Sequence, residues 1–577
     1  MGVDAARYLI TSSTRVGYKC HDSVVLRPPF IVSCHIVFFG GILKTNFSDV
    51  PANMRPTNLA FLRIAKRAER QDDDVLRKTF VDYGSVFTTL TAVDHQIIYG
   101  RRGTGKTHLL TVIRQSRELH GEIAIQLDMR NLGSAGGVYA DPAIPLAQRA
   151  TRLLIDVIAA IHGHLFEQAI AHDGLVNLGT VGAPLDELFD AHKSVRVVGE
   201  TLVEFAATAE TAGGAEAKLG FSTSVTSPSL SGEFKVNESS RDSVSAKKTI
   251  KGQEIHRVNF GSVATALRRV VENLPKGRLW LLIDEWSEVP LDLQPLLADL
   301  LRRAVLPTKG ITVKIAAIEQ RSRFLVTDTE RGHIGLEIGA DISSAVNLDE
   351  FMVFENDEDR AVLFFKAVVF AHVKSALESE GIAPPKNEAE LLSNGFSQSS
   401  AFNEVVRACE GVPRDALHIL SHAAQRANDQ TISVGDVRSA ARQWYQASKD
   451  AAVSAHIHAK LLLLWIVDKV IKERQAKAFL LETGTKDSLI DFLYDERVLH
   501  VLRKGMSSKD SPGARFNVYG IDYGCYVDLI NTVNAPKGLL DSGSDRQEFF
   551  ATVPKTDLRS IRRCVLDLST FYEQLPV

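Results

Sequence analysis

Cysteine is scarce in this sequence, and what there is does not pair. Its five residues, Cys20, Cys34, Cys409, Cys525 and Cys564, include no C-x-x-C spacing. That excludes a disulfide framework or a thiolate zinc site and fits a reducing, cytoplasmic setting. The histidines lack metal-ligand spacing, so no metal-dependent protease, nuclease or deaminase constellation is visible. Net charge is missing too: 67 basic against 70 acidic side chains leave −3. Any nucleic-acid contact must then come from a local basic patch, and a packaging role is excluded. Long apolar runs are also absent. The most suspicious, "FIVSCHIVFFGGIL" at 30–43, falls short of the roughly 18 residues that a membrane span needs. A long mixed segment precedes it where a signal peptide would carry a short basic head. No membrane association is expected.

With 577 residues and ordinary apolar content, the chain has room for several packed domains. Residues 1–53 differ in character from the rest of the chain and read as an extension that is poorly ordered or starts from a misassigned position. Met54 opens a fluent helical sequence that leads in over 54–93.

The chemistry begins at "IIYGRRGTGKTHLL", 97–110. Gly100 to Thr107 match G-x-x-x-x-G-K-[ST] between an apolar strand and a helix, which is the context this motif requires. Glycines let backbone N–H groups turn inward around phosphate oxygens, and the helix N-terminus adds partial positive charge. The nucleotide-binding set is Gly100, Arg101, Arg102, Gly103, Thr104, Gly105, Lys106, Thr107 and His108. Lys106 would reach the β and γ phosphates of ATP, and the Thr107 hydroxyl would sit on Mg²⁺.

A second element, "GRLWLLIDEWSEVP" at 277–290, carries the continuous apolar run of a strand buried on both faces. At its end Asp284 would hold Mg²⁺ through water, and Glu285 would orient and deprotonate the attacking water. Further strands are expected in 121–132, 312–320 and 340–348, alternating with helical patterns. The fold class is therefore α/β, a P-loop parallel sheet covered on both sides, with the nucleotide at the strands' carboxyl ends.

After residue 350 the pattern turns helical, and "ACEGVPRDALHILSHAAQRAND" (408–429) sets Gly411-x-Pro413-Arg414 at a helix start. This resembles the second sensor of AAA+ ATPases, most of all the initiator branch of origin-recognition and archaeal replication-initiator proteins, with a relation to bacterial STAND-type NTPases. "TISVGDVRSAARQW" (431–444) is similar to the end of their lid. The resemblance covers roughly 94–445. It implies an AAA+ core over 94–350, a helical lid over 351–445, and an Arg414 that contacts the γ-phosphate and reports hydrolysis through lid rotation. It also implies a homo-oligomer with an arginine finger acting across subunits. Arg321, Arg323 and Arg331 are candidates, and Arg331 is favoured because it follows a helix and precedes the fifth strand. The fourth strand ends in Glu319-Gln320, where the family commonly places Asn, Ser or Thr as first sensor. Gln320 is the candidate there.

An insertion interrupts the core at about 133–277, far longer than an ordinary connection. It opens with a helical pattern at 143–171. Its Ser-rich part (217–249) alternates about Pro228 like a protruding hairpin with Lys247-Lys248 as a flexible basic end. That part reads equally as a DNA or partner contact and as a mobile linker.

The C-terminal stretch 446–577 reads as a winged-helix-like module. Helices are expected at 457–474 and across "TKDSLIDFLYDERVLHVLRKG", followed by a hairpin at 514–530 bent near Gly520 and Gly524. Arg503, Lys504, Lys509 and Arg515 offer a basic patch, but Asp487, Asp491, Asp495 and Glu496 load the would-be recognition helix with the wrong sign for phosphate. Duplex DNA and protein both stand as targets.

Three readings fit these features. The first is an initiator-like AAA+ ATPase that couples nucleotide state to assembly on DNA. The second is the ATPase subunit of a bacterial signalling or defence complex, with its effector on a separate protein. The third is a non-catalytic, nucleotide-gated transcription regulator.

Overall fold

The computed structural model of the chain describes residues 54–132, 139, 141–170, 176–192, 195–207, 222–225, 244–256, 259–328, 332–349, 357–474, 476–507, 513–530 and 564–575. The expectations for 1–53, for Lys509 and for Arg331 lie outside them. The stretch 52–577 forms one compact unit.

Three short helices, α1 (Pro56–Arg63), α2 (Asp73–Thr79) and α3 (Val86–Leu90), lead into β1 (Gln96–Tyr99). The glycine-rich loop and α4 (Lys106–Leu119) come next, then β2 (Ile123–Asp128) and the short α5 (Met129–Leu132). The insertion holds α6 (Leu146–Ile170), α7 (Leu178–His192), β3 (Val195–Ala207), β4 (Ser222–Val225), β5 (Val244–His256) and α8 (Phe260–Glu272). The core resumes with β6 (Leu279–Asp284), α9 (Gln294–Ala304) and β7 (Ile311–Ala317). A small hairpin, β8 (Leu325–Asp328) with β9 (Gly332–Gly335), precedes β10 (Ser344–Asn347).

The five core strands are all parallel, in the order β10-β1-β7-β6-β2. Alternation along each strand divides the interior in two. Ile98, Ala124, Trp280, Leu282 and Ala316 face α4, the lead-in and the lid, whereas Ile97, Ile123, Ile125, Leu281, Ile283 and Ile315 face α6 to α9. A strand with apolar residues on both faces must be covered on both, and β6 is buried throughout. Among the described residues one helix, α6, is long and apolar enough to cross a membrane. Its Leu153, Leu154, Val157, Ile158, Ile161 and Leu165 are instead buried in the second core.

The insertion departs from expectation. β3 and β5 pair antiparallel over all 13 residues of each, about 43 Å at the usual rise per residue, and β4 pairs with β3. Lys247 and Lys248 therefore lie within a strand, opposite Glu204 and Val203, and are not a flexible basic end. The expected bend at Pro228 lies outside the described residues.

The lid is helical: α10 (Glu358–Ser379), α11 (Glu388–Gly395), α12 (Ser399–Ala408), α13 (Pro413–Ala427) and α14 (Val434–Trp444). Pro413 at the first helical position and the Ser433–Asp436 capping box define two of these starts. A π-helical turn (Tyr445–Asp450) then joins α14 to α15 (Ala451–Ser454), and α16 (Ile457–Val467) follows. β11 (Ala478–Glu482), α17 (Ser488–Asp495), β12 (Leu499–Ser507), β13 (Arg515–Ile521), α18 (Tyr523–Ile530) and α19 (Ser569–Tyr572) complete the C-terminal module.

Its antiparallel sheet runs β11-β13-β12. The second expected helix is cut short at Asp495, and the chain turns through Arg497 in the left-handed region (φ 60°) into β12. The hairpin is thus β12–β13, and the residues expected to return as a second strand form α18. Gly524 marks a close approach: an added Cβ would lie 2.6 Å from the Ala441 carbonyl oxygen and 2.7 Å from Tyr445 Cβ.

A buried polar seam joins this module to the core. Arg101 is only 1% exposed. Its Nε donates to Asp349 Oδ1 at 2.8 Å and its Nη2 to the Glu410 carbonyl at 2.9 Å. Its Nη1 donates to His500 Nδ1, and His500 Nε2 meets Asp522 Oδ2 at 3.3 Å. Lys449 sits between Asp415 and Asp522, Arg497 pairs with Asp415 at 3.3 Å, and Lys477 donates to Glu410 at 2.8 Å.

This arrangement requires a neutral imidazole at His500. Burial, with Arg101 and Lys449 close by, pushes it down to about 4 against the hydrogen bond to Asp522. Burial likewise lowers His418 to about 4 and His372 to about 3. Unfolded histidines take up protons near pH 6.5, so unfolding binds protons between there and about pH 4, and stability falls as pH drops through that window. Melting temperatures measured from pH 7 to pH 4.5 should decline, with a shallower slope in His500→Asn. The partnered carboxylates Asp415, held at about 2, and Asp522, also held low, lose their contribution only below the ordinary carboxylate range.

Candidate functional site

The glycine-rich loop lies at the carboxyl end of β1, an interior strand between β10 and β7. Gly103 (φ 89°) and Gly105 (φ 93°) adopt left-handed backbone that only glycine takes without strain. The Lys106 ammonium folds back onto the loop, donating to the carbonyls of Gly100 at 2.8 Å and Arg101 at 3.1 Å. Burial lowers its pKa, while Glu285 and Asp284 oppose that. It is a buried cation held by neutral acceptors, beside an open cradle: nothing lies within 4 Å of where a Cβ on Gly105 would stand.

Asp284 ends β6 with 2% exposure; burial raises its pKa, and the neighbouring Thr107 hydroxyl and Lys106 oppose that. Glu285 follows in the left-handed region (φ 53°). That conformation is uncommon for a non-glycine residue and concentrates at functional sites. Burial, and then Asp284, raise the Glu285 pKa against Lys106 and Arg130, which suits a general base.

Lys106 and Glu285 share one cleft of about 300 Å³, lined by Arg102, Gly103, Gly105, Lys106, Thr107, His108, Glu285, Glu288 and Arg414 together with the lead-in residues 65–69. An apolar recess beside it is lined by Phe80, Val81, Tyr83, His108, Val368, His372 and Pro413. The lid is attached directly to the loop, since the Arg414 backbone N–H donates to the Gly103 carbonyl at 3.2 Å. A Cβ on Gly103 would lie 2.8 Å from Arg414 Cβ and 3.1 Å from Val412 Cγ1. Gly103→Ala should therefore destabilise the fold by about 1–3 kcal/mol and weaken nucleotide binding by displacing Arg414. Chemical denaturation and a nucleotide titration would measure both effects.

Residues 65–126 match the ORC-CDC6-like family model. That span runs from the lead-in through the loop and α4 into β2. Among solved structures the chain is similar to the Aeropyrum pernix ORC1 protein in complex with DNA, at 12% identity over 84% of this chain and 98% of that one, with a TM-score of 0.33. CDC6P from Pyrobaculum aerophilum matches at 12% identity over 82% and 96%, TM-score 0.30. The Thermotoga maritima RuvB Holliday junction branch migration motor matches at 11% over 70% and 80%, TM-score 0.26. No curated protein matches the chain. The parallel strands, in the order β10-β1-β7-β6-β2, put the phosphate-type loop on an interior strand with a helical lid against it.

The expected site residues divide into two groups. Gly103, Gly105, Lys106, Thr107, His108, Arg102, Glu285 and Arg414 line one cleft, with Asp284 beside Thr107 behind it. Gly100 begins the loop, and the Thr104 hydroxyl is spent on the Arg101 carbonyl at 2.9 Å. The Arg101 side chain leaves the cleft for the polar seam. Gln320 does not line the cleft, and its Oε1 is buried without a partner. Arg321 is engaged within its own chain, donating to Asp495 Oδ2 at 3.0 Å. Arg323 is exposed.

Sequence reasoning missed Arg130, which lines the cleft just after β2 and bears on the charge of Glu285. A signal for it existed. Asp128 is the register partner of Asp284 across adjacent parallel strands, so residues just past β2 open on the same edge.

Proposed function

We propose that the chain is an ATP-binding and ATP-hydrolysing AAA+ switch of the initiator type, which couples nucleotide state to assembly on DNA. The carrying observation is the convergence of Lys106, Thr107, Glu285 and Arg414 on one cleft beside an apolar recess, with Asp284 next to Thr107 just behind it. The residues fit the ligands: a buried ammonium awaits anionic oxygens, and the Thr107 hydroxyl with the Asp284 carboxylate is a hard-oxygen donor set suited to Mg²⁺. When bound, the metal would neutralise charge on the phosphates. Lys106 and the loop N–H groups bind the phosphates, Glu285 orients water and accepts its proton, and Arg414 carries the phosphate state into the lid. The apolar recess at Phe80, Val81 and His372 excludes water around a base.

The three-stranded sheet and the exposed Arg503 on its hairpin support DNA as the target. A second reading is favoured by the placement of α17. Its Asp495 faces Arg321 and Arg102 within the chain, leaving this acidic helix to the core, as a protein-directed switch would allow. ATP hydrolysis by the whole chain, with and without duplex DNA over a salt series, separates the two. DNA stimulation that fades steeply with salt supports the initiator reading. Hydrolysis indifferent to DNA supports the protein-directed one, and no hydrolysis at all removes both.

A further inference from the structure

We infer that Arg67, in the turn between α1 and α2, is a specificity-determining residue that pairs with Arg414 to distinguish a nucleoside triphosphate from a diphosphate. This deepens the nucleotide reading above and rests on it. Among the described residues four arginines line the cleft: Arg67, Arg102, Arg130 and Arg414. Two are already matched by carboxylates. Arg102 donates to Glu288 at 3.1 Å, and Arg130 pairs with Asp128 and with Glu69. Arg67 and Arg414 have no side-chain hydrogen bond or ion pair among the described residues.

Their placement is not incidental. The Arg414 backbone is bonded to the phosphate-type loop at Gly103, so this guanidinium is held at the cleft by the loop itself. It is half-buried; burial and then Arg497 lower its pKa, Glu69 opposes them, and Arg67 lowers it further. Like charges gathered at a cleft wall repel one another in a partly desolvated space, and an anion placed between them reverses the sign of that interaction. The loop N–H groups and Lys106 suffice for two phosphates. The third adds charge that they leave unmatched, and Arg67 and Arg414 line the same cleft. Arg67 comes from a 3₁₀-turn region outside the phosphate motif, so the motif alone does not announce it.

The test titrates the full chain with Mg-ADP and with a non-hydrolysable Mg-ATP analogue. Arg67→Ala should weaken the triphosphate analogue by about tenfold, the usual worth of a hydrogen bond to a charged group, and ADP by less than about twofold. Arg67→Lys should recover part of the loss. Equal weakening of both nucleotides, or no weakening of either, overturns the assignment while leaving nucleotide binding intact. Wild-type protein that binds neither nucleotide overturns the reading beneath it. Arg67 is exposed, so its replacement leaves the folded core in place for the measurement.

Discussion

Lys106→Ala should weaken nucleotide binding, whereas Glu285→Gln should keep binding and lose turnover. Lys106 is the buried cation of the cleft and donates only to loop carbonyls, so phosphate oxygens gain charge-assisted bonds from it without displacing a carboxylate. Removing such a donor should weaken ATP by about 10- to 100-fold. Glu285→Gln preserves shape and hydrogen bonding but cannot take the proton from water, and hydrolysis should fall by about 10²–10⁴. Titration with a fluorescent nucleotide and measurement of phosphate release would separate the two effects. Wild-type affinity in Lys106→Ala would refute the site, and undiminished turnover in Glu285→Gln would refute the assigned base.

The second large effect is on stability. Arg101→Ala strips the guanidinium from Asp349, the Glu410 carbonyl and His500 together. Asp349, its pKa lowered by Arg101 against the burial that would raise it, is left as an uncompensated buried charge. Breaking a buried pair from one side costs about 3–5 kcal/mol. Arg101→Met combined with Asp349→Leu removes both charges and should cost less than Arg101→Ala alone. Denaturant midpoints for the two variants and the wild type give the comparison. If Arg101→Ala unfolds at the wild-type midpoint, the seam does not hold the module to the core.

These predictions differ in how visible they are in the sequence. Lys106, Asp284 and Glu285 stand where an apolar strand ends against a motif of fixed spacing, and local order is enough to find them. The start of α13 within the lid is legible for the same reason, because Gly411 and Pro413 act through short-range backbone effects. Arg101 is not. In the sequence it is an unspecified position of the loop motif, and its partners lie 248 and 399 residues away.

The missed strands have a similar cause. Val498, Leu499 and Leu502 continue the helical spacing of Leu489, Ile490 and Leu493, and only the left-handed Arg497 breaks it. In β3, Arg196, Glu200 and Glu204 interrupt the apolar pattern, and its pairing with Lys247 and Lys251 across the sheet cannot be seen until the strands are side by side. Gly524 reads as a bend because glycine usually marks one. Its reason here is the neighbouring lid helix.

The seam also bears on how such a chain can be inherited. Residue 445 looks like a natural boundary, with a finished lid before it and a separate sheet after it. Yet Arg101, Asp349, Glu410 and Asp415 on one side are matched by His500, Tyr494, Lys477 and Arg497 on the other. A recombination event that exchanged everything beyond 445 for an unrelated module would bury four charged groups against the wrong surface. The two halves must change together, and Arg101, written inside the glycine-rich loop, is where the C-terminal module's ancestry is tied to that of the parallel-sheet core.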